Sequence, residues 1–224
     1  MPRPVPNTQT GSLTDNEHGT NETLILGPGT SPSDLQVVLH GDAFALYDDA
    51  RGGNDTLIGG DGAVFNFFLA DASDMYGNTH GGNDTLIGGA NTSNTFFGDT
   101  FTMHDNARGG NDTLISSGGT DHMYGDALLI NDVVASPTAP TGSVVTGTDT
   151  FVFAPGNGAD FVYDLRQSDH DRIDVSAYGF HGLADMTIID TGADTRIEFD
   201  ATNSVTLVGF ADPGILQASD FIFA

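Results

Sequence analysis

The chain has 224 residues, no cysteine and a formal net charge of −25, because 31 acidic residues face only six basic ones, all of them Arg. This charge argues against nucleic acid and anionic membranes as partners, since both would be repelled. The lack of cysteine excludes disulfides, thiolate metal sites and a cysteine nucleophile, and no apolar run reaches the ~20 residues of a membrane span, so no membrane insertion is expected.

The first 17 residues are polar and contain several prolines, which predicts a flexible N-terminus. The segment lacks the apolar centre of a signal peptide, so we expect no cleaved N-terminal signal. From residue 18 to residue 130 the sequence repeats with a period of about 28 residues. A fixed period of this size indicates stacked structural units.

One nine-residue block, Gly-Gly-Asn-Asp-Thr-Leu-Ile-Gly-Gly, dominates these repeats. It begins at Gly52 and at Gly81, and a third copy from Gly109 ends in Ser116-Ser117. The copies start 29 and 28 residues apart (52 to 81, 81 to 109). A weaker first copy places Glu22 where the later copies have Asp.

A second, looser pattern lies between the blocks, where an Asp separates two apolar segments. These Asp residues recur at spacings of 29, 28 and 27: Asp42, Asp71, Asp99 and Asp126. Each repeat therefore contains three short apolar segments bounded by Gly, Asn and Asp, which predict strands of ~3–5 residues. Stacking them gives a parallel β-solenoid. The coil could have three faces, or it could be a flattened β-roll in which one repeat spans one and a half turns.

The C-terminal part of the chain changes in character. Residues 131–146 are rich in Pro, Ser, Thr, Val and Gly and predict a loop. Two motifs in 147–163 keep the Gly-x-Asp-x-apolar order around Asp149 and Asp160 and predict the last calcium-binding turns of the stack. Residues 164–224 predict a non-repetitive β cap, so the predicted class is all-β throughout.

The recurring Asp residues point to a metal, because a plain β-turn would accept Asn or Ser equally well. Carboxylates on neighbouring strands ~4.7–4.9 Å apart repel one another unless a cation lies between them. Ca²⁺ accepts ~6–8 oxygen ligands in flexible geometry, whereas Mg²⁺ prefers a small octahedron and Zn²⁺ prefers His or Cys. We therefore predict several Ca²⁺ ions. The predicted ligands are Glu22, Asp42, Gly52, Gly53, Asp55, Asp71, Gly81, Gly82, Asp84, Asp99, Gly109, Gly110, Asp112, Asp126, Asp149 and Asp160.

The Gly-Asn-Asp-Thr-Leu blocks resemble the repeats of RTX, or haemolysin-type, calcium-binding proteins. The match is strong in 50–60, 79–89 and 107–115 and weaker in 19–26, 147–153 and 158–163. The segment from Asp149 to Phe223 is similar to the C-terminal region of serralysin-type secreted proteins. The resemblance implies calcium between adjacent turns of a right-handed parallel β-roll. It also implies export by a type I secretion apparatus that reads an uncleaved C-terminal signal.

These features lead us to expect an extracellular calcium-binding protein that folds on binding calcium and is not an enzyme. The chain lacks His-Glu-x-x-His, Gly-x-Ser-x-Gly and a phosphate loop, and His170, between Asp169 and Asp171, is expected to be an exposed turn residue. Two alternatives remain open. One is a surface or matrix protein that self-associates or binds extracellular polysaccharide. The other is a calcium-binding and secretion module associated with an extracellular enzyme.

Overall fold

The computed structural model describes residues 11–26, 37–62, 65–139 and 141–224. In these ranges the chain forms 21 short strands and five 3₁₀ helices, which confirms the predicted all-β class. None of these helices is long and apolar enough to cross a membrane. The first ten residues of the predicted flexible N-terminus lie outside the described ranges, and the remainder includes β1.

The strands form three sheets, each of which takes one strand from every repeat. The first sheet contains the four Thr-Leu-Ile strands followed by three C-terminal strands. Its order is β2 (Thr23–Ile25), β5 (Thr56–Ile58), β8 (Thr85–Ile87), β11 (Thr113–Ile115), β15 (Thr150–Val152), β17 (Arg172–Asp174) and β21 (Phe221–Ile222). The second sheet has the order β18 (Thr187–Asp190), β19 (Thr195–Glu198), β20 (Ser204–Leu207), β16 (Ala159–Val162), β12 (Asp121–Tyr124), β9 (Ser93–Phe97), β6 (Phe65–Leu69) and β3 (Val37–His40). The third sheet has the order β1 (Ser12–Leu13), β4 (Ala45–Leu46), β7 (Ala72–Met75), β10 (Thr100–Met103), β13 (Ala127–Ile130) and β14 (Val133–Val134).

Each repeat makes one complete coil. Leu57 pairs in parallel with Leu86, and Leu86 pairs with Leu114, so every block strand meets its counterpart one repeat later. In a roll of one and a half turns per repeat, strands of different type would be neighbours. The structure therefore has a three-sheet coil, and the parallel stacking predicted from the repeats is confirmed.

The C-terminal region both extends and closes the stack. Strands β17 and β21 continue the first sheet in parallel register, so this sheet runs into the region predicted as the cap. Strand β19 is antiparallel to both β18 and β20, and β20 pairs in parallel with β16. The 3₁₀ helices connect these strands at Gln167–Asp169, Ser176–Tyr178, Leu183–Asp185, Pro213–Ile215 and Ala218–Asp220.

The segment predicted as a loop, 131–146, is not wholly irregular. It contains β14, which turns back antiparallel to β13. Near its end, Val145 forms a parallel bridge to Arg108. That bridge continues a ladder of single-residue bridges through His18, Arg51 and His80.

Two apolar clusters fill the coil. In the larger one, the Leu residues of the first sheet pack with inward residues of the second sheet such as Phe68 and Phe96, whose rings stack at 4.9 Å. The smaller cluster includes Met75 and Met103 of the third sheet. Ala70 belongs to the larger cluster and Ala72 to the smaller one, so the chain crosses between them at the intervening Asp.

Candidate metal centre

Two columns of aspartates run along the coil axis between the apolar clusters. The corner column comprises the Asp residues that follow the second-sheet strands: Asp42, Asp71, Asp99, Asp126 and Asp164. The block column comprises those that precede the first-sheet strands: Asp55, Asp84, Asp112, Asp149 and Asp171. All ten side chains are at most 7% exposed. The solenoid thus has a carboxylate-rich interior.

In the block column, each carboxylate accepts a hydrogen bond from the backbone of the coil before it. The N–H of Asp55 donates to Oδ1 of Asp84 (2.5 Å), and the N–H of Asp84 donates to Oδ1 of Asp112 (2.8 Å). The same bond joins Asp112 to Asp149 and Asp149 to Asp171, each at 2.9 Å. Asp therefore fixes the register of successive coils at this position.

In the corner column, the first four carboxylates accept from the opposite side of the coil, whereas Asp164 accepts from the N–H groups of Gly125 and Asp126. The donors to the first four are the second glycines of the blocks and Gly147, which takes the same place after the third copy. Their bonds run from Gly53 to Asp42 (2.7 Å), Gly82 to Asp71 (2.9 Å), Gly110 to Asp99 (2.7 Å) and Gly147 to Asp126 (2.6 Å). The two columns are linked across the interior by this set of bonds.

Seven of these carboxylates retain one oxygen that is buried and has no hydrogen-bond donor within the described ranges. The seven atoms are Asp42 Oδ1 and the Oδ2 atoms of Asp55, Asp71, Asp84, Asp99, Asp112 and Asp149. An unsatisfied buried acceptor costs ~1–3 kcal/mol, and more when it is charged. Such oxygens need either protons or cations.

The unsatisfied oxygens of the block column face the corner column. A Cβ atom on Gly41, which directly precedes Asp42, would lie 2.2 Å from Oδ2 of Asp55. A Cβ on Gly98 would lie 2.5 Å from Oδ2 of Asp112, and a Cβ on Gly125 would lie 2.2 Å from Oδ2 of Asp149. The unsatisfied oxygens therefore point inward, toward the opposing carboxylates.

The first glycine of each block lies directly against the corner carboxylates. A Cβ on Gly81 would lie 2.0 Å from Oδ1 of Asp99 and 2.6 Å from Oδ2 of Asp71. A Cβ on Gly109 would similarly lie within 2.6 Å of oxygens from Asp99 and Asp126. A side chain at these positions would displace the carboxylates, so glycine is needed where the backbone packs against successive pairs of them.

Burial raises the pKa values of these carboxyl groups, and repulsion from neighbouring carboxylates raises them further. The pKa is about 9 for Asp84, and about 7 for both Asp55 and Asp99. For Asp71 and Asp112 it lies well above the usual value, and the same holds for Asp126 and Asp149. Because desolvation is the largest cause in each case, a bound cation would relieve the same penalty that otherwise favours protonation.

Within the described ranges, no group of three or more His, Cys, Asp or Glu side chains forms a ready-made metal site. The donors are instead pairs of carboxylates along and across the columns. A divalent ion among them would need backbone or water oxygens to complete a shell of ~6–8 ligands. The oxygen-only donor set and the unsatisfied buried oxygens fit a hard cation such as Ca²⁺.

The structure brings most of the predicted carboxylate ligands together. Glu22 is half-buried at the start of the block column, where its N–H donates to Oδ1 of Asp55 at 2.6 Å. Asp160 lies elsewhere, in a third buried column with Asn66, Asn94 and Asp121. Its carboxylate accepts from the Asp121 N–H, Ser116 Oγ and Asn157 Nδ2, so both of its oxygens are satisfied by the protein.

Sequence reasoning missed Asp164 and Asp171 as the last members of the two columns. Asp164 follows the apolar triplet Phe161-Val162-Tyr163, as earlier corner residues follow apolar pairs. Asp171 precedes β17 as Asp84 precedes β8. The signal was present locally, but the 131–146 insertion breaks the spacing that made the earlier residues recognisable.

The block asparagines form an exposed ladder beside the block column. The N–H of Asn83 donates to Oδ1 of Asn54 (2.9 Å), and the N–H of Asn111 donates to Oδ1 of Asn83 (2.7 Å). Thr148 continues the ladder by donating its N–H to Oδ1 of Asn111 (2.8 Å). The exposed Asn and the buried Asp of each block thus have similar roles in stacking but face different environments.

No family model matches the sequence, and no curated protein matches it. Among solved structures, the solution structure of the AlgE6R2 subunit from the Azotobacter vinelandii mannuronan C5-epimerase is 22% identical to this chain. The match covers 94% of this chain and 93% of that chain, with a TM-score of 0.23, which is too low to support a conclusion. The fold and the site described above define the chain as an all-β parallel solenoid with two internal columns of carboxylates.

Proposed function

We propose that this protein is a secreted calcium-binding β-solenoid with a structural or interaction role and no catalytic activity. The observation that carries the proposal is the set of seven donor-less carboxylate oxygens inside the coil. Burying ionised carboxylates without partners is strongly unfavourable. Cations between the columns would remove that penalty, and they would also offset part of the net charge of −25.

Calcium suits these columns better than the common alternatives do. The facing groups are oxygens only, whereas Zn²⁺ prefers His or Cys ligands. Mg²⁺ demands a compact octahedron and retains water, while Ca²⁺ tolerates larger and less regular oxygen shells. The resemblance of the Gly-Asn-Asp-Thr-Leu blocks to RTX repeats supports the same ion.

Calcium binding would also drive folding. A site occupied at 100 times its Kd adds ~2.7 kcal/mol, so a few sites match the ~5–15 kcal/mol stability of a typical domain. The chain would remain unfolded where calcium is scarce and fold outside the cell. The resemblance of the C-terminal region to serralysin-type proteins supports export through a type I secretion apparatus.

The geometry around His170 supports the absence of catalysis. His170 is exposed in a left-handed conformation at the end of a 3₁₀ helix. Its neighbour Asp171 already accepts hydrogen bonds from the N–H groups of Asp149 and Arg166. This carboxylate is therefore occupied in stacking and does not orient the imidazole.

A calcium titration monitored by far-ultraviolet circular dichroism tests the folding proposal. We expect the metal-free chain to be largely unfolded at pH 8, and β structure to form cooperatively as calcium is added. Magnesium at the same concentration serves as the control and should induce little structure. Full β structure in metal-free protein at pH 8 would contradict the proposal.

A further inference from the structure

The carboxylates of the last coil accept more hydrogen bonds than those of the earlier coils. Asp164 accepts from the N–H groups of Gly125 (2.8 Å) and Asp126 (3.2 Å), one at each oxygen. Asp171 accepts from the N–H groups of Asp149 (2.9 Å) and Arg166 (2.7 Å), again one at each oxygen. Neither residue retains a donor-less oxygen, although seven of the eight earlier column members do.

The same coil contains the only buried arginine among the described residues. The Arg166 side chain follows Asp164 by two positions and is 5% exposed. Its Nη1 donates to the carbonyl oxygen of Ala139 (3.0 Å), while Nε and Nη2 have no hydrogen-bond acceptor among the described residues. A fixed positive charge is thus buried at the end of the columns, at a site where burial alone would disfavour it.

Arg166 is a buried positive charge two residues from the last corner carboxylate, and the described residues show no ion pair between the two side chains. Burial raises the pKa of Asp164 to about 6, while hydrogen bonds from Gly125 and Asp126 and the charge of Arg166 lower it. Among the described residues no other arginine is buried, and the pKa of Asp71 in an earlier coil is raised by burial and by the charges of Asp84, Asp99 and Asp42. The earlier coils therefore lack the buried positive charge that the last coil has.

We propose that Arg166 ends the calcium-binding columns, supplying at the last coil the positive charge that calcium supplies in the earlier coils. The ion-binding part of the solenoid then ends at Asp149, and Asp164 and Asp171 hold the cap without binding an ion. This inference rests on the proposed calcium function. It assigns to Arg166 a positioning role and sets a boundary to the ion sites.

Native mass spectrometry of the full chain in calcium tests the boundary. We expect Asp164→Asn to bind as many ions as the wild type, whereas the matched change Asp84→Asn in an earlier coil should lose at least one. Loss of an ion from Asp164→Asn as well would overturn the proposed boundary. A wild-type chain without any bound calcium would instead refute the proposed function, so the two failures can be distinguished.

A double-mutant cycle at saturating calcium tests the role of Arg166 itself. Arg166→Met should lower the urea midpoint, and adding Asp164→Asn should recover much of that loss, because the unpaired negative charge is then removed. Arg166→Lys, which keeps the charge, should stay closer to the wild type. If Arg166→Met costs the same with and without Asp164→Asn, Arg166 is only a packing residue and the proposal fails. If Arg166→Met alone does not fold, a double variant that is soluble and folded still supports the proposal. A double variant that does not fold contradicts it.

Discussion

At the scale of single residues, the two glycines of each block have different roles. Gly81 lies beside the corner carboxylates, where a Cβ would approach Asp71 and Asp99. Gly82 lies against the previous coil, where a Cβ would be 1.5 Å from the carbonyl oxygen of Gly53. The first glycine lets the corner carboxylates pack against the backbone, and the second allows backbones to stack.

This difference predicts distinct effects of adding one methyl group. Gly82→Ala should reduce the free energy of unfolding by ~3 kcal/mol or more, at the upper end of overpacking costs, even in saturating calcium. Gly81→Ala should mainly weaken calcium binding, seen by calorimetric titration. Gly182→Ala is the control, because nothing lies within 4 Å of its Cβ position. Equal effects of all three changes would show that the glycine roles are wrongly assigned.

Asp84→Asn should have opposite effects with and without calcium. The pKa of Asp84 is about 9, so metal-free folding at pH 5 must take up a proton or bury a charge. Asn keeps the acceptor for the Asp55 N–H and removes that cost, so metal-free stability should rise by roughly 1–3 kcal/mol. In calcium the variant should lose ~2.7 kcal/mol if a site at 100 times its Kd is lost. Urea unfolding measures the free energy of unfolding without and with calcium. The exposed Asp48→Asn serves as control. A shift of the same sign in both conditions would contradict the prediction.

At the scale of the strands and turns, the third polar column explains why one block departs from the others. Gly88, the eighth residue of its block, lies beside Asn94, where a Cβ would lie 2.7 Å from Nδ2. In the third copy Ser116 takes that place, and its Oγ donates to Oδ2 of Asp160 at 2.9 Å. The serine thus accompanies a change from Asn to Asp in the column, because a carboxylate needs additional donors.

Ser116→Ala should therefore lower the free energy of unfolding by about 1–3 kcal/mol, the cost of losing a hydrogen bond to a buried charged group. Its calcium affinity should remain that of the wild type, since Asp160 lies outside the two columns. Ser117→Ala is a matched control, because the buried Ser117 hydroxyl has no hydrogen-bond partner in the part of the chain that the structure describes. A clear loss of calcium affinity in Ser116→Ala would indicate that the third column also binds ions.

The repeats made the parallel stacking predictable, because identical blocks can align only with one another. They could not show that each repeat is one full coil, since this depends on which strands become neighbours in three dimensions. The continuation of the first sheet through β17 and β21 was hidden for another reason. Those strands share with the blocks an apolar centre and a preceding Asp, as in Asp171-Arg172-Ile173, but they lack the Gly-Gly pair.

The candidate site, like the fold, could be predicted only in part from the sequence. Periodic Asp residues indicated ligands, but Asp160 fitted the Gly-x-Asp pattern while its strand, β16, turns the side chain into another column. The Gly-x-Asp pattern does not say which column an Asp enters, because that depends on its position relative to the strand. The role of Arg166 could not be predicted from the sequence either, since it depends on burial and on a hydrogen bond to Ala139, 27 residues away.

At the scale of the whole molecule, stability should depend on pH in opposite ways with and without calcium. Unfolded Asp has a pKa of ~3.9, whereas Asp55 and Asp99 reach about 7 and Asp84 about 9 in the folded chain. The metal-free folded state therefore binds more protons than the unfolded state. Its stability from these groups is present below pH ~4 and is lost as pH rises toward about 9.

Calcium should reverse this trend, because it needs ionised carboxylates and protons compete with it. Thermal unfolding at pH 5 and pH 8 checks the prediction in dialysed metal-free protein and in excess calcium. We expect the metal-free chain to be more stable at pH 5 and the calcium-saturated chain to be more stable at pH 8. The same pH dependence in both samples would show that the buried carboxyl groups do not exchange protons for calcium.

The most direct test of the central claim is a crystal structure grown in calcium, with ions located by their anomalous scattering. We predict peaks between the corner and block columns, with oxygens of Asp71, Asp84, Asp99 and Asp112 among the ligands at ~2.3–2.6 Å. We expect no peak at Asp164 and Asp171, beside Arg166. An interior without ions, or peaks confined to the exposed surface, would contradict the claim that calcium holds this solenoid together.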